Sequence, residues 1–266
     1  MRSRMGPTCL LAALAFCCVG QVAKAEVVYL TIENIGTDTP MTPVFAGFHD
    51  GTYNLGTVGT TATSGLEALA ELGMTAPITA EFTGGGANRV AGAASGLLMP
   101  GASATTRFDI TAGGANNFLS LASMVLPSSD YFIGTVTPTG GNSPFGIDIS
   151  SVTAGSPLTF DLTTIFDAGT ELNDFLTSPP PDAFDFSGTA FANIPTGRDP
   201  GASAPDNPNT IRAVANPFSS FLNTPAGFTA PTDFGLRVTV SVPEPTSTIA
   251  IGSLAGLLML RRRRKA

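Results

Sequence analysis

The chain has 266 residues, of which 43 % are hydrophobic and only 12 % are charged, whereas ordinary soluble proteins carry about 25 % charged residues. Between Glu26 and Val242, five arginines and no lysine stand against 19 acidic residues, so this span has a net charge of −14. Such an acidic body would repel phosphate backbones, which excludes nucleic-acid binding, and it would attract cations such as calcium. Few charges, 30 Gly, 21 Pro and 18 Phe favour a mainly β fold with long loops.

Residues 1–25 have the pattern of a secretory signal peptide. A positively charged start precedes the apolar stretch Cys9–Val19, and Ala23 and Ala25 supply the small residues that signal peptidase needs for a cut before Glu26. All three cysteines lie in this segment, so the mature protein would contain neither a disulfide nor a thiol. A buried N-terminal helix and a lipoprotein anchor on one of the cysteines are the alternatives.

Residues 243–266 have the pattern of a second targeting segment, at the C-terminal end. The motif Val242-Pro243-Glu244-Pro245-Thr246 precedes a mostly apolar segment at 248–260 and the basic run Arg261–Lys265. The apolar segment has 13 residues, and about 20 span a bilayer comfortably. A short transmembrane helix held on the cytoplasmic side by the basic run is therefore expected.

The order of these three parts resembles the PEP-CTERM sorting signal of Gram-negative bacteria that make exopolysaccharide. The resemblance implies transient anchoring in the inner membrane, recognition by an exosortase and removal of the tail. The protein would then be released to the cell surface or the extracellular matrix. A permanent single-span anchor is the alternative.

Between the two targeting segments, residues 26–242 are expected to form one domain. Alternating or β-branched apolar runs bounded by turn residues predict strands at 27–35, 43–48, 104–111, 118–126, 147–152, 158–162 and 236–242. Ser64, with Glu67 three residues later and Gly73 beyond, has the spacing of a capped helix. The fold predicted is an antiparallel β-sandwich with one short helix and long Pro/Gly-rich loops, the longest at 177–231.

Several catalytic classes are excluded because their residues are missing. The chain has one histidine, His49, and no mature cysteine, so zinc sites of Cys and His and a Cys–His nucleophile are impossible. His49 precedes Asp50-Gly51, which is typical of a strand entering a turn. No G-x-S-x-G elbow is present, and Gly84-Gly85-Gly86 is not followed by the lysine of a phosphate loop. Glycoside hydrolysis by a pair of carboxylates remains an alternative, because the 19 acidic residues offer many pairs.

Two acidic segments are candidates for a metal site. Asp130 follows a buried strand that ends at a proline, and Asp167 and Glu171 lie four residues apart across a glycine turn. Calcium takes six to eight oxygen ligands from carboxylates, carbonyls and water, usually on loops. The alternative is that each segment is an Asx turn with solvated carboxylates.

The same segments resemble the spondin N-terminal domain of extracellular-matrix proteins. The sequence SMVLPSSDYFIG at 123–134 and FDAGTE at 166–171 carry the resemblance, and residues 42–50 and 64–73 resemble the early part of that family. The family has an antiparallel β-sandwich with a bound calcium and members that act in adhesion. The resemblance implies a Ca²⁺ site at Asp130, Asp167 and Glu171, with Asp109 on a preceding strand as a further candidate.

Two classes of function follow. The first is a non-enzymatic, calcium-binding surface or extracellular-matrix protein that acts in adhesion or associates with exopolysaccharide or surface proteins. The alternative is a secreted carbohydrate-active enzyme that uses paired carboxylates. The absence of tryptophan, the usual stacking platform of sugar-cleaving clefts, favours the first class.

Overall fold

The computed structural model describes residues 25–111, 115–128, 130–171, 173, 209–219 and 229–244. The described strands are β1 (Ala25–Asn34), β2 (Phe45–His49), β3 (Val90–Ala93), β4 (Ser103–Thr111), β5 (Phe118–Met124), β6 (Tyr131–Gly134), β7 (Ile147–Asp148), β8 (Leu158–Leu162), β9 (Ile165–Asp167), β10 (Arg212–Val214) and β11 (Leu236–Ser241). The described helices are α1 (Ser64–Leu72) and α2 (Thr75–Gly84).

The strands form two sheets in which neighbouring strands are antiparallel. The four-stranded sheet has the order β4-β1-β11-β8. The seven-stranded sheet has the order β10-β9-β6-β5-β2-β3, with β7 pairing beside β5. The predicted mainly β, antiparallel sandwich is confirmed.

Two apolar clusters hold together three layers, which are the four-stranded sheet, the seven-stranded sheet and the helices α1 and α2. The larger cluster lies between the sheets and takes alternate residues of each strand, such as Val28, Leu30 and Ile32 of β1. The smaller cluster joins α1 and α2 to the other face of the seven-stranded sheet, with Leu66 and Phe82 packed against its strands. Burying this much aliphatic and aromatic surface is the main stabilising contribution to such a fold.

Helix α1 begins one residue earlier than its capping pattern predicts. The N-cap is Thr63, whose hydroxyl accepts a hydrogen bond from the Leu66 amide at 3.3 Å. The helix ends as predicted at Gly73, which adopts the left-handed conformation with φ of 64° and ψ of 19°. The positive φ explains the glycine, because other residues are strained there.

The prediction of a single helix is corrected by α2. This segment contains threonines and a proline, which are poor helix formers, so its local pattern is weak. Ile78 and Phe82, one turn apart, are both fully buried against the sheet. Tertiary packing therefore stabilises a helix that local propensity does not indicate.

The predicted strands are all present, with shifted ends. The strand expected at 147–152 has only two residues, and the segment predicted as loop contains β10. Most of 177–231 lies outside the described residues, as do 1–24 with Ala23, and Pro245, Thr246 and the rest of the tail. In the part of the chain that the structure describes, no helix is long and apolar enough to cross a membrane.

Candidate functional site

Asp130 lies in the turn between β5 and β6, and its side chain is completely buried. Its Oδ2 atom accepts hydrogen bonds from the Thr170 and Glu171 amides at 2.9 and 3.1 Å. Its Oδ1 atom has no hydrogen-bond partner among the described residues. Oδ2 therefore holds the turn after β9 in place by hydrogen bonds. Oδ1 is a buried acceptor that could contact a cation.

Asp167 ends β9 directly opposite Tyr131, so it is held beside Asp130 by the pairing of β6 with β9. Its Oδ1 atom accepts from the Gly169 amide at 2.7 Å, which closes an Asx turn. Gly169 has φ of 72°, and a Cβ atom there would lie 2.6 Å from the Thr210 nitrogen. Glycine is required at this position on both grounds.

The guanidinium group of Arg212 contacts the other carboxyl oxygen of Asp167. Arg212, its neighbour on β10, donates to Asp167 Oδ2 at 2.7 Å, and the Asn173 amide group donates to the same atom at 2.8 Å. Asp167 is almost completely buried, whereas about a third of the Arg212 side chain is exposed. Asp167 thus forms the Asx turn of the alternative, but its carboxylate is buried and not solvated.

Two glutamates complete the buried acidic cluster, which we define as Asp130, Asp167, Glu171 and Glu71. Glu171 follows the Asx turn and is 4 % exposed, and Glu71 projects from the last turn of α1 and is 7 % exposed. Neither carboxyl oxygen of Glu71 has a partner in good hydrogen-bond geometry among the described residues, although the Thr170 hydroxyl is close enough to favour its ionised form. Sequence reasoning missed Glu71, because on the sequence it is one more acidic residue of an amphipathic helix.

Burial and mutual repulsion disfavour the ionised forms of these carboxyl groups. Burial raises the pKa of Glu71 to about 8; the Thr170 hydroxyl opposes this shift, and the negative charges of Glu171 and Glu67 add to it. Burial raises the pKa of Asp130 well above its ordinary value, and the charge of Asp167 adds to the shift, while the two amide hydrogen bonds oppose it. Full ionisation of the cluster is therefore unfavourable, and a bound divalent cation would offset that cost.

The donor chemistry of the cluster fits calcium, which prefers carboxylate and amide oxygens. The unpartnered Oδ1 of Asp130 is the observation that supports this fit. The spacing is not that of a formed site, because the described residues contain no group of three or more His, Cys, Asp or Glu placed to hold a metal ion. Arg212 and the amides of the turn after β9 donate hydrogen bonds to carboxyl oxygens of Asp167 and Asp130 that a bound cation would otherwise contact.

Asp109 is not brought to this cluster. It lies on β4, an edge strand of the other sheet, with its side chain 60 % exposed. Its nearest cation is Arg107 on the same strand, at 2.5 Å. Along β4 the core side chains are Phe108 and Ile110, so Asp109 points away from the sandwich interior.

His49 is a structural residue in this fold. Its Nδ1 atom accepts from the Gly51 amide at 3.0 Å, so the ring proton is on Nε2, which donates to the Ser120 hydroxyl at 3.0 Å. A nitrogen that carries a proton cannot take one from serine. The ring is buried among Tyr53, Phe82 and Phe118, and burial lowers its pKa to about 4.

Three cavities lined by described residues hold no pair of facing carboxylates. One has about 360 Å³, lies at the end of the sandwich, and includes one acid, Glu26, among mostly aliphatic side chains. Two others, of about 230 and 160 Å³, contain no acid and Asp50 alone, respectively. No observation on these cavities favours the glycoside-cleaving alternative.

Part of the chain is similar to a known protein family. Residues 35–139 match the family model described as Spondin_N, a stretch that contains Asp130 and Glu71 but ends before Asp167 and Glu171. No curated protein matches the chain. The match supports a spondin N-terminal domain in this part of the chain, and that family suggests a secreted or extracellular protein.

Proposed function

We propose that this chain is a non-enzymatic, calcium-stabilised protein exported to the surface or extracellular matrix of a Gram-negative bacterium. The single observation that carries the calcium part is the buried acidic cluster, in which Asp130 leaves one oxygen without a partner. The similarity to the spondin family over residues 35–139 supports the extracellular part. Adhesion or association with exopolysaccharide is the role that these two properties favour.

Calcium would act at the junction between the β5–β6 turn and the turn after β9. Asp130, Asp167 and Glu171 would hold the ion, and backbone or amide oxygens and water would complete its shell. The ion would offset the burial of Asp130 and its repulsion by Asp167, which together raise the pKa of Asp130. The two turns, which are distant in sequence, would then be held by one cross-link that forms only in the folded state.

The melting temperature of the full chain tests the calcium proposal. We expect calcium to raise it progressively with concentration, because only the folded state assembles the cluster. Magnesium is expected to raise it less, since that ion needs a tighter octahedral shell. EDTA should reverse the effect, and a melting temperature that responds to neither calcium nor EDTA would contradict the proposal.

Processing at both ends is the second part of the proposal. Signal peptidase would cut before Glu26, and an exosortase would remove the tail after transient anchoring in the inner membrane. The exposed Pro243 and Glu244 lie just after β11 and outside its ladder, which leaves this segment accessible in the folded domain. These features support cleavage at the motif after folding.

Mass spectrometry of the extracellular fraction checks the maturation. We expect a protein that begins at Glu26 and lacks the run Arg261–Lys265. Replacing Pro243, Glu244 and Pro245 with alanine should leave the precursor in the inner membrane. Intact extracellular protein that still contains Arg261 would show that the tail is not removed.

A further inference from the structure

The outer face of the four-stranded sheet carries a row of threonines that crosses all four strands. Thr105, Thr31, Thr239 and Thr159 are Cα partners in successive strand pairs, from β4 through β1 and β11 to β8. The Thr31 and Thr105 hydroxyls are 2.8 Å apart, and those of Thr159 and Thr239 are 2.9 Å apart. With neighbouring strands about 4.8 Å apart, the row spans roughly 14 Å.

Two more rows lie beside the threonines on the same face. On one side are Ser103, Glu33, Arg237 and Asp161, and the Arg237 guanidinium donates to both Asp161 carboxyl oxygens at 2.9 and 3.0 Å. On the other side Tyr29 lies between Arg107 and Ser241. We call the three rows together the outer face.

Tyr29 sets this face apart from the rest of the described surface. The chain has three tyrosines, and Tyr53 and Tyr131 are buried, whereas Tyr29 is 36 % exposed. It lies two residues from Thr31 along β1, so its ring borders the hydroxyl row at about 7 Å. A ring at the edge of an array of hydroxyls offers both stacking and hydrogen bonding to one ligand.

The charges of the outer face restrict what can bind it. Two arginines stand against Glu33 and Asp161 of the face and the adjacent Asp109, so this surface is close to neutral, although residues 26–242 carry −14 in total. The guanidinium groups already pair with aspartates on the same face. A polyanion would meet no unpaired cation here and would be repelled by the acidic body.

A second copy of the chain is also a poor fit for this face. Stable interfaces between copies have an apolar centre. The only large apolar side chain exposed here is Tyr29. The described helices α1 and α2 pack against the other sheet, so they do not cover the outer face either.

We infer that the outer face binds a neutral polysaccharide chain. Each threonine hydroxyl has one donor and two acceptor sites, and a hydroxyl pair uses only one donor and one acceptor. The remaining sites match sugar hydroxyls, which also donate and accept, while Tyr29 stacks on the apolar face of a ring. This inference rests on the proposed export, since it names the ligand class of the exported protein.

Native affinity electrophoresis of the full chain in mild detergent tests the inference. The gels contain dextran, hydroxyethylcellulose, a soluble β-1,3-glucan or the neutral polysaccharide fraction of the producing bacterium, with alginate as the anionic comparison. We expect retardation by at least one neutral polysaccharide and none by alginate. Retardation by alginate alone, or by no polysaccharide, would overturn the inference.

Variants identify the surface. Tyr29→Ala is expected to weaken binding by up to about tenfold, and Thr31→Val with Thr239→Val should weaken it further while preserving strand propensity and shape. Thr139→Val, an exposed threonine away from this sheet, is the matched control and should bind normally. Binding that the outer-face variants do not change would refute the assignment.

The melting temperature of the same preparations separates the two proposals. The outer-face variants should keep the full calcium response, because their side chains are remote from the buried acidic cluster. In the unmodified chain, polysaccharide binding without a calcium response would refute the calcium proposal alone. In the unmodified chain, a calcium response without retardation by any polysaccharide would refute this inference alone.

Discussion

Asp130→Asn is expected to abolish the rise in melting temperature that calcium produces. At a calcium concentration of about 100 times its dissociation constant, the stabilisation lost would be about 2.7 kcal/mol. Without metal, the variant should be as stable as the parent or more stable. An asparagine still accepts from the Thr170 and Glu171 amides, and it removes the repulsion with Asp167. Calorimetry of both chains, with calcium and with EDTA, measures the two effects.

Asp109→Asn is the matched control for this experiment. Asp109 is the acidic residue that the family resemblance added to the site, and the structure places it exposed on the other sheet. The control should keep the whole calcium response. Asp167→Asn is a less direct test, because it also removes the ion pair with Arg212. An undiminished calcium response in Asp130→Asn would refute the assignment of this residue as a ligand.

Acid should destabilise the domain through His49. Burial and the positive charge of Arg89 lower its pKa from 6.5 to about 4, with Asp50 acting in the opposite direction. The unfolded chain binds a proton near pH 6.5, whereas the folded chain does so only near pH 4. Stability from this group is therefore complete above pH 6.5 and lost as the pH falls to 4, by about 3 kcal/mol in total.

His49→Gln isolates this contribution. The free energy of unfolding in urea is measured for both chains from pH 4 to pH 8, and the difference between them cancels most of the contribution of the other titrating groups. We expect the parent to lose its advantage over the variant as the pH falls, with most of the change between pH 6.5 and 4. A difference that stays constant over this range would mean that His49 is protonated as readily in the folded state as in the unfolded one.

Seven of the eleven described strands were predicted, because each of these is specified by its own residues, whereas the short strands β3, β6, β9 and β10 were not predicted. Alternation in β1 and β4 and the apolar run of β5 require no knowledge of distant contacts. Gly73 ends α1 because its left-handed conformation is a local property. Helix α2 was not predictable in this way, since its support comes from packing of Ile78 and Phe82 against the sheet.

The candidate site was predictable only in part. Asp130 and Glu171 lie in turns and Asp167 ends a strand, and the resemblance to a known family predicted that the three residues form one site. Glu71 belongs to a helix about 60 residues earlier in the chain, and no local pattern distinguishes it from a solvated helix residue. Arg212 enters through the pairing of β10 with β9, in a region that the sequence indicates as loop.

The sequence by itself determined the mainly β class, the acidic charge of residues 26–242 and the presence of only one histidine, and it predicted the targeting segments at both ends. These properties depend on composition and on short stretches of chain. The tertiary structure alone decided which carboxylates share a buried space, that Asp109 is not among them, and that four threonines from four strands form one row. Burial and strand register are set by contacts between distant segments, so their consequences for charge and surface cannot be read from any one segment.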